Sequence, residues 1–355
     1  MSLDRSGNLP LSLKALRKSE HRNLQYITDI ILPFSERWEH IYLPASIVNQ
    51  LAAAKNKLSS LKSIEVYLDK QTCDSLYLDA FENAPQLCSV RFGYHSLRSL
   101  PKLPWLQLTE CVVNGTYVDD LFRLLPRIEN VENAKFTLIP SRVYYYDVIA
   151  TRLSRLVSLE LTEDKTTQFT NEILNTLTLP ALHDLCIHSS SPLPHGTICS
   201  LLMRSSCSLR RLVLDCERAI NVEGLVQCLE LTPMLTELEL GPYIFISKEK
   251  EYICFRKLSM ATSDSSGLDL VPRLEAITVG SVSSLRWPVF VDMIESRWKV
   301  RHLKGTSSGT QLRSVRVTAQ RDSIGMLTID RLCQMQTEGL DIAIFSDFQP
   351  CEQIL

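Results

Sequence analysis

Two six-residue blocks near the middle of the chain share one hydrophobic pattern. Leu209-Arg210-Arg211-Leu212-Val213-Leu214 and Leu235-Thr236-Glu237-Leu238-Glu239-Leu240 place apolar residues first, fourth and sixth, and they begin 26 residues apart. Between them Val222, Leu225, Val226 and Leu229 recur at the spacing of one helix face. In an extended segment the residues at places four and six point the same way, and the residue between them points to the opposite face. A strand with places four and six in a core, followed by a helix that covers that core, cannot bury its apolar face alone but can do so against copies of itself. The pattern predicts a stack of strand, loop, helix, loop units whose strands pair in parallel.

The same spacing recurs upstream at Trp38/Ile41/Leu43, Leu61/Ile64/Val66, Leu87/Val90/Phe92, Leu156/Leu159/Leu161 and Leu182/Leu185/Ile187. Downstream it recurs at Phe255/Leu258/Met260, Leu274/Ile277/Val279 and Leu312/Val315/Val317, with a first short strand expected at 9–16 and a last one at 340–345. Helix faces fall at Leu24/Ile27/Ile30/Ile31, Ile47/Val48/Leu51, Val118/Leu121/Phe122/Leu125, Ile173/Leu174/Leu177 and Ile198/Leu201/Leu202, and in 144–153, 289–298 and 324–335. Pro101 and Pro104 mark a degenerate unit before a strand at 105–112, a weaker strand follows at 128–138, and Pro126 helps to end the helix before it. Past Leu240 the spacing shortens, which predicts extended or 3-10 crossovers in place of full helices between the 255–260 and 274–279 strands. The expected fold is an α/β solenoid over 38–348 of about a dozen units, with a cap over 1–37, an insertion near 281–311 and a loose tail over 349–355. Strands pack more closely than the ~10 Å that helices need, so the stack is expected to curve as a horseshoe with its sheet concave and its convex side mostly helical.

Composition adds exclusions. A chain of 355 residues exceeds one ordinary core, but a stack grows in one direction and escapes that limit. Hydrophobic residues at 45% and charged residues at 22% argue for an ordered core. The formal charge is -2 from 38 basic and 40 acidic side chains, and no Lys/Arg block is long enough to track a phosphate backbone, so nucleic acid is not an expected partner. No run of 18 apolar residues exists, so no membrane span is expected. The 11 cysteines are odd in number and irregular in spacing, and the start MSLDRSGNLPLSLKAL lacks an apolar signal core. Reduced thiols, Cys199 and Cys207 included, in a cytoplasmic or nuclear protein are the expectation.

Catalytic chemistry finds no foothold. There is no GxSxG, P-loop, GxGxxG after a strand or HExxH. His183, Cys186 and His188 have metal-like spacing, but His183 falls on the opposite strand face from the other two. No cofactor, no metal and no enzymatic activity are expected. What remains is surface: the outward strand positions give Glu65, Arg91, Glu160, Cys186, Val213, Glu239, Ser259, Thr278 and Arg316, flanked by Lys62, Arg210, Arg211, Glu237, Arg256, Lys257 and Arg313. This face reads as mixed in sign, with a basic patch at Arg210-Arg211 that Glu237 partly neutralises. Tyr144-Tyr145-Tyr146 adds aromatic surface or packing, Trp38, Trp105 and Trp298 are expected at the seams between units, and a ligand-anchoring role for Trp287, before Pro288 in the insertion, is the minor reading of that residue.

The repeated LxxLxL strands with a helical period resemble leucine-rich repeats, in a degenerate version. Such repeats continue with an Asn or Cys that bonds the turn; Asp215-Cys216 comes near that place, whereas Leu161-Thr162-Glu163 and Leu240-Gly241-Pro242 do not. A narrower resemblance rests on residues 4–13 (DRSGNLPLSL), 31–38 (ILPFSERW), 179–182 (LPAL), 271–274 (VPRL) and 293–298 (MIESRW), which are similar to the F-box-like proteins of mushroom-forming fungi. There an N-terminal helical F-box docks on an adaptor of a ubiquitin-ligase complex and the repeats are presumed to hold the target. By that resemblance the chain is expected to start after the place of that segment. The resemblance implies a non-catalytic protein-recognition scaffold, with a ligase adaptor as partner only if an F-box lies upstream; the alternative is a structural or vestigial repeat protein with no ligase role.

Overall fold

A computed structural model describes residues 7–15, 24–67, 78–93, 100–139, 149–163, 169–192, 195–217, 221–242, 248–259, 270–280, 285–299, 310–319 and 324–346. Over these residues the fold is α/β, and it divides into two compact units, Met1–Leu159 with Thr176–Leu179, and Glu160–Asn175 with Pro180–Leu355. In chain order the first holds β1 (Leu11–Lys14), α1 (Leu24–Ile31), β2 (Trp38–Pro44), α2 (Ala45–Val48), β3 (Ser63–Tyr67), β4 (Ser89–Gly93), β5 (Glu110–Tyr117), α3 (Val118–Leu124), β6 (Asn133–Ile139) and β7 (Thr151–Arg152). Around the boundary come β8 (Ser158–Glu163), α4 (Thr170–Thr176) and β9 (Leu177–Thr178). The second unit continues with β10 (Asp184–Ser189), α5 (His195–Ser205), β11 (Arg211–Cys216), α6 (Val222–Glu230), β12 (Glu237–Leu240), α7 (Lys248–Leu258), β13 (Ala276–Val279), α8 (Trp287–Trp298), β14 (Ser314–Ala319), α9 (Met326–Thr337) and β15 (Asp341–Ser346).

In the first unit β1 to β6 pair in parallel, each with the next, while β7 and β9 make a separate two-stranded ladder. The register stacks Ile41, Ile64, Val90, Cys111 and Ala134 in one inward row and Leu43, Val66, Phe92, Val113 and Phe136 in another. In the second unit β10 to β15 also pair in parallel and in sequence. Their inward rows are Leu185, Leu212, Leu238, Ile277, Val315, Ile342 and Ile187, Leu214, Leu240, Val279, Val317, Ile344, none more than 2% exposed. Apart from the Phe255/Leu258/Met260 block, the predicted strand phase is therefore the observed one through Val317. One turn device recurs between strands: the second-place carbonyl of each block accepts two N–H groups from the next. His183 O takes those of Arg210 and Arg211, Arg210 O those of Thr236 and Glu237, Thr236 O those of Glu275 and Ala276, and Glu275 O those of Arg313 and Ser314. The same fork occurs at Lys62, Cys88 and Thr109 in the first unit. Each strand thereby starts in fixed register before its side chains pack.

Glycine is required where β12 and β13 end. Gly241 N–H donates to Leu214 O and Gly280 N–H to Leu240 O. A Cβ on Gly241 would lie 2.4 Å from Asp215 Oδ1 and 2.7 Å from Asp215 Cα, and one on Gly280 would lie 2.7 Å from Pro242 N, so neighbouring backbones approach too closely for any side chain.

Phe255/Leu258/Met260 was to be a strand with Ser259 facing outward; residues 248–258 are instead α7, a full helical crossover between β12 and β13, and Ser259 lies just past its end, donating to Phe255 O. First and fourth places are shared by strand blocks and helix faces, and here Glu249 and Glu251 in the first turn with Arg256 and Lys257 in the last favour helix. Trp287 is no ligand anchor: it opens α8, is 3% exposed and meets Phe290 edge-on at 6.1 Å, with Phe290 in turn 5.0 Å from Phe255. The helix expected over 144–153 does not reach its end, since Thr151–Arg152 is extended; Tyr144, Tyr145 and Tyr146 lie outside the described residues, as do 304–309 and 349–355. Glu163, 6% exposed, joins two elements: its carboxylate accepts the Thr170 N–H at the start of α4 and the Ser189 hydroxyl at the end of β10, each at 2.5 Å. A carboxylate with two donors satisfies a helix start and a neighbouring strand together.

Candidate functional site

Alternation dictates what the sheets present outward. In the first unit one outward row runs Lys14, Tyr42, Glu65, Arg91, Val112, Lys135, and beside it run His40, Ser63, Ser89, Glu110, Asn133. Arg91 is central, its guanidinium 3.9 Å from Glu65 and 3.4 Å from Glu110, while the Ser89 hydroxyl donates to Glu110 at 2.6 Å. Towards β1 the face turns aromatic: Tyr42 and Tyr67 rings lie 5.1 Å apart, and the Lys14 ammonium sits 5.3 Å from the Tyr42 centroid. Lys62 pairs with Glu39, whose carboxyl is held below its ordinary range by that hydrogen bond.

In the second unit the outward rows are Asp184, Arg211, Glu237, Ala276, Ser314, Asp341 and Cys186, Val213, Glu239, Thr278, Arg316, Ala343, with His188 and Asp215 adjacent beyond them. Arg211 contacts Glu237 at 3.4 Å and Glu239 at 3.5 Å, and donates to Cys186 Sγ at 3.1 Å. His188 stands between Glu160 at 3.8 Å and Asp215 at 3.3 Å. Arg313 pairs with Glu275 at 3.2 Å, and Arg316 with Asp341 at 2.5 Å, a hydrogen bond that lowers the Asp341 carboxyl below its usual range.

The structure thus groups Glu65 with Arg91, gathers Arg211, Glu237 and Glu239, sets Glu160 against His188, and leaves Arg210 exposed at the head of β11. Two expected contact residues are withdrawn. Val213 is 2% and Cys186 7% exposed, because short side chains between long charged ones are roofed by them, Arg211 above all. Arg256 and Lys257 leave the sheet face altogether: on α7, Arg256 stacks over Tyr252 at 5.7 Å, and Lys257 edges a groove of about 510 Å³ with Val226, Leu229, Pro233, Leu270 and Val271. The sign of the face around β10–β12 also changes. Glu160, Asp184, Asp215, Glu237 and Glu239 surround Arg211 and His188, so the expected basic patch is acidic on balance. Asp184 and Asp215 carry the same strand parity as the residues singled out from the sequence, two places to either side, and that parity was the signal available for them.

Burial pushes the Cys111, Cys216 and Cys254 thiols up to about 12, which mutes these three as nucleophiles. Among the described residues no three His, Cys, Asp or Glu side chains are placed to hold a metal ion, and no helix is long and apolar enough to cross a membrane. No protein-family model matches the chain, and no curated protein matches it.

Proposed function

We propose that the chain is a non-catalytic protein-recognition scaffold of the leucine-rich-repeat kind, holding a protein partner on the outward faces of its parallel strands. The observation that carries this reading is the register of the outward rows: charged and polar side chains from successive strands stand side by side, half-exposed, and take no part in the core. A surface that draws one side chain from each strand of a stack is suited to a partner longer than any single loop could hold. The F-box-like resemblance supports the narrower reading, a relative of the target-holding regions of ubiquitin-ligase adaptors acting in cytoplasm or nucleus. A second reading, a structural repeat protein with no dedicated partner, is favoured by one fact: Arg91, Arg211 and Arg316 are each compensated within the face itself.

Quantitative affinity capture with the full chain separates the two. Glu110→Lys and Glu239→Lys reverse charge on the outward faces, and Glu223→Lys does so on α6. Scaffold function predicts that the first two deplete a reproducible partner set that Glu223→Lys retains, at equal thermal stability. A partner set unchanged by all three refutes recognition through the strands, and no reproducible set at all supports the structural reading.

A further inference from the structure

Sequence spacing gives no reason to pair Cys199 with Cys228, yet the fold does. Cys199 lies in α5 and Cys228 in α6, helices of successive repeats within the second unit, and their sulfurs are 3.2 Å apart. Both are free thiols and both are buried, Cys228 completely and Cys199 to 8% exposure. The Cys228 thiol also reaches the carbonyl of His195 at 3.5 Å, which holds it between the two helices. A shared metal ion does not fit this spacing: two thiolates on one tetrahedral zinc, each bonded at about 2.3 Å, stand roughly 3.8 Å apart. A disulfide needs about 2.05 Å, a closure of roughly 1 Å from the observed separation.

We propose that Cys199 and Cys228 are a redox modification site, closing reversibly to a disulfide that ties two neighbouring repeats together when the protein meets a peroxide. Cys199, the less buried thiol, is oxidised first: its sulfur attacks hydrogen peroxide, the O–O bond breaks, and a sulfenic acid and one water form. The Cys228 sulfur then attacks the Cys199 sulfur, the S–O bond breaks, and hydroxide leaves with the Cys228 proton as a second water. Two thiols lose two electrons and two protons, and one peroxide becomes two waters. Burial and the neighbouring thiol raise the Cys228 pKa, which slows its attack on the sulfenic acid. This inference goes beyond the recognition reading and stands or falls without it.

The test is peroxide treatment of the full chain followed by peptide mapping under non-reducing conditions. The expected product is a cross-link between the segments that hold Cys199 and Cys228, abolished by dithiothreitol, together with a melting temperature raised by on the order of 5–10 °C. Cys228→Ser should leave Cys199 as a sulfenic acid that dimedone traps, and Cys199→Ser should give no cross-link to Cys228. If either serine variant fails to fold, Cys199→Ala and Cys228→Ala replace them. Oxidation confined to the more exposed Cys88, Cys207 and Cys333 with Cys199 still a thiol overturns the proposal, as does a Cys199 that cross-links elsewhere.

Discussion

Replacing Arg297 tests how the second unit is held between β12 and β14. Its side chain is 1% exposed, and its guanidinium donates to Leu258 O at 2.6 Å, Leu270 O at 2.7 Å and Val271 O at 3.1 Å. Those carbonyls belong to the last turn of α7 and to the segment leading into β13, so one side chain of α8 ties the preceding crossover to the strand that follows it. The α7 carbonyl is a helix C-terminus, where a cation is favoured. Val271 sits at φ 45, a left-handed conformation that costs a β-branched residue about 1–2 kcal/mol, and the Arg297 bond to its carbonyl helps to hold it there.

Arg297→Met keeps most of the volume and removes the donors. Three buried carbonyls left without these donors cost about 1–2 kcal/mol each, against which relaxation at Val271 returns about 1 kcal/mol, for a net loss of about 2–5 kcal/mol. Arg297→Lys should recover roughly half, because an ammonium cannot reach three diverging acceptors as a planar fork does. Urea unfolding followed by tryptophan fluorescence reads this well, since Trp287 and Trp298 bracket α8; with two compact units the transition should be fitted for more than one step. Arg297→Met within about 1 kcal/mol of wild type would refute the reasoning, showing that the desolvation of a buried guanidinium cancels its three bonds.

Strand phase is tested by a neighbouring pair: Leu212→Asp should lose more than about 4 kcal/mol by burying an unpaired carboxylate, whereas Arg211→Glu, half-exposed beside Glu237 and Glu239, should lose on the order of 1 kcal/mol in the same chemical denaturation. Gly280→Ala, which drives a methyl against the Pro242 backbone, should lower the melting temperature clearly, while Gly325→Ala, with open space around it, should leave the stability within about 1 kcal/mol of wild type. The Lys299 and Arg331 hydrogen bonds hold the Glu295 carboxyl below its ordinary range, so their stabilisation is complete above the unfolded carboxylate pKa of about 4 and is lost as pH falls through the lower folded value. Melting curves of wild type and Arg331→Met should therefore differ at pH 7 and converge in acid; a gap that persists at the lowest pH would show that packing, not charge, joins α8 to α9.

How much of this was legible follows from which physics each feature obeys. Places four and six recur because burial in a parallel stack leaves no alternative, so Leu185, Leu212, Leu238, Ile277 and Val315 could be placed by period alone. The same logic erred at Phe255 and Leu258, where the first-to-fourth spacing serves a helix equally well and the charges at the two ends decide. Arg297 and Glu163 were invisible for another reason: buried charges obey no period, and what they satisfy is a set of backbone groups brought together by tertiary structure.

The outward face shows where parity stops being informative. Parity assigns Val213 and Arg211 to the same side, but whether a side chain is offered to a partner depends on the length of its neighbours, and Arg211 reaches over the row to Cys186. Sign is likewise collective: Arg210-Arg211 is basic along the chain, yet across the strands Arg211 faces Glu237 and Glu239 while Asp184 and Asp215 flank it. A sequence pair of arginines thus becomes the cation of an acidic field, because neighbours in a parallel sheet lie one repeat apart and not one residue apart. Any partner of this face meets charges that the linear sequence never places together, so recognition should respond to Glu239 as strongly as to Arg211. A partner that discriminated Arg211→Glu but ignored Glu239→Lys would be reading the chain locally and would contradict a surface assembled across strands.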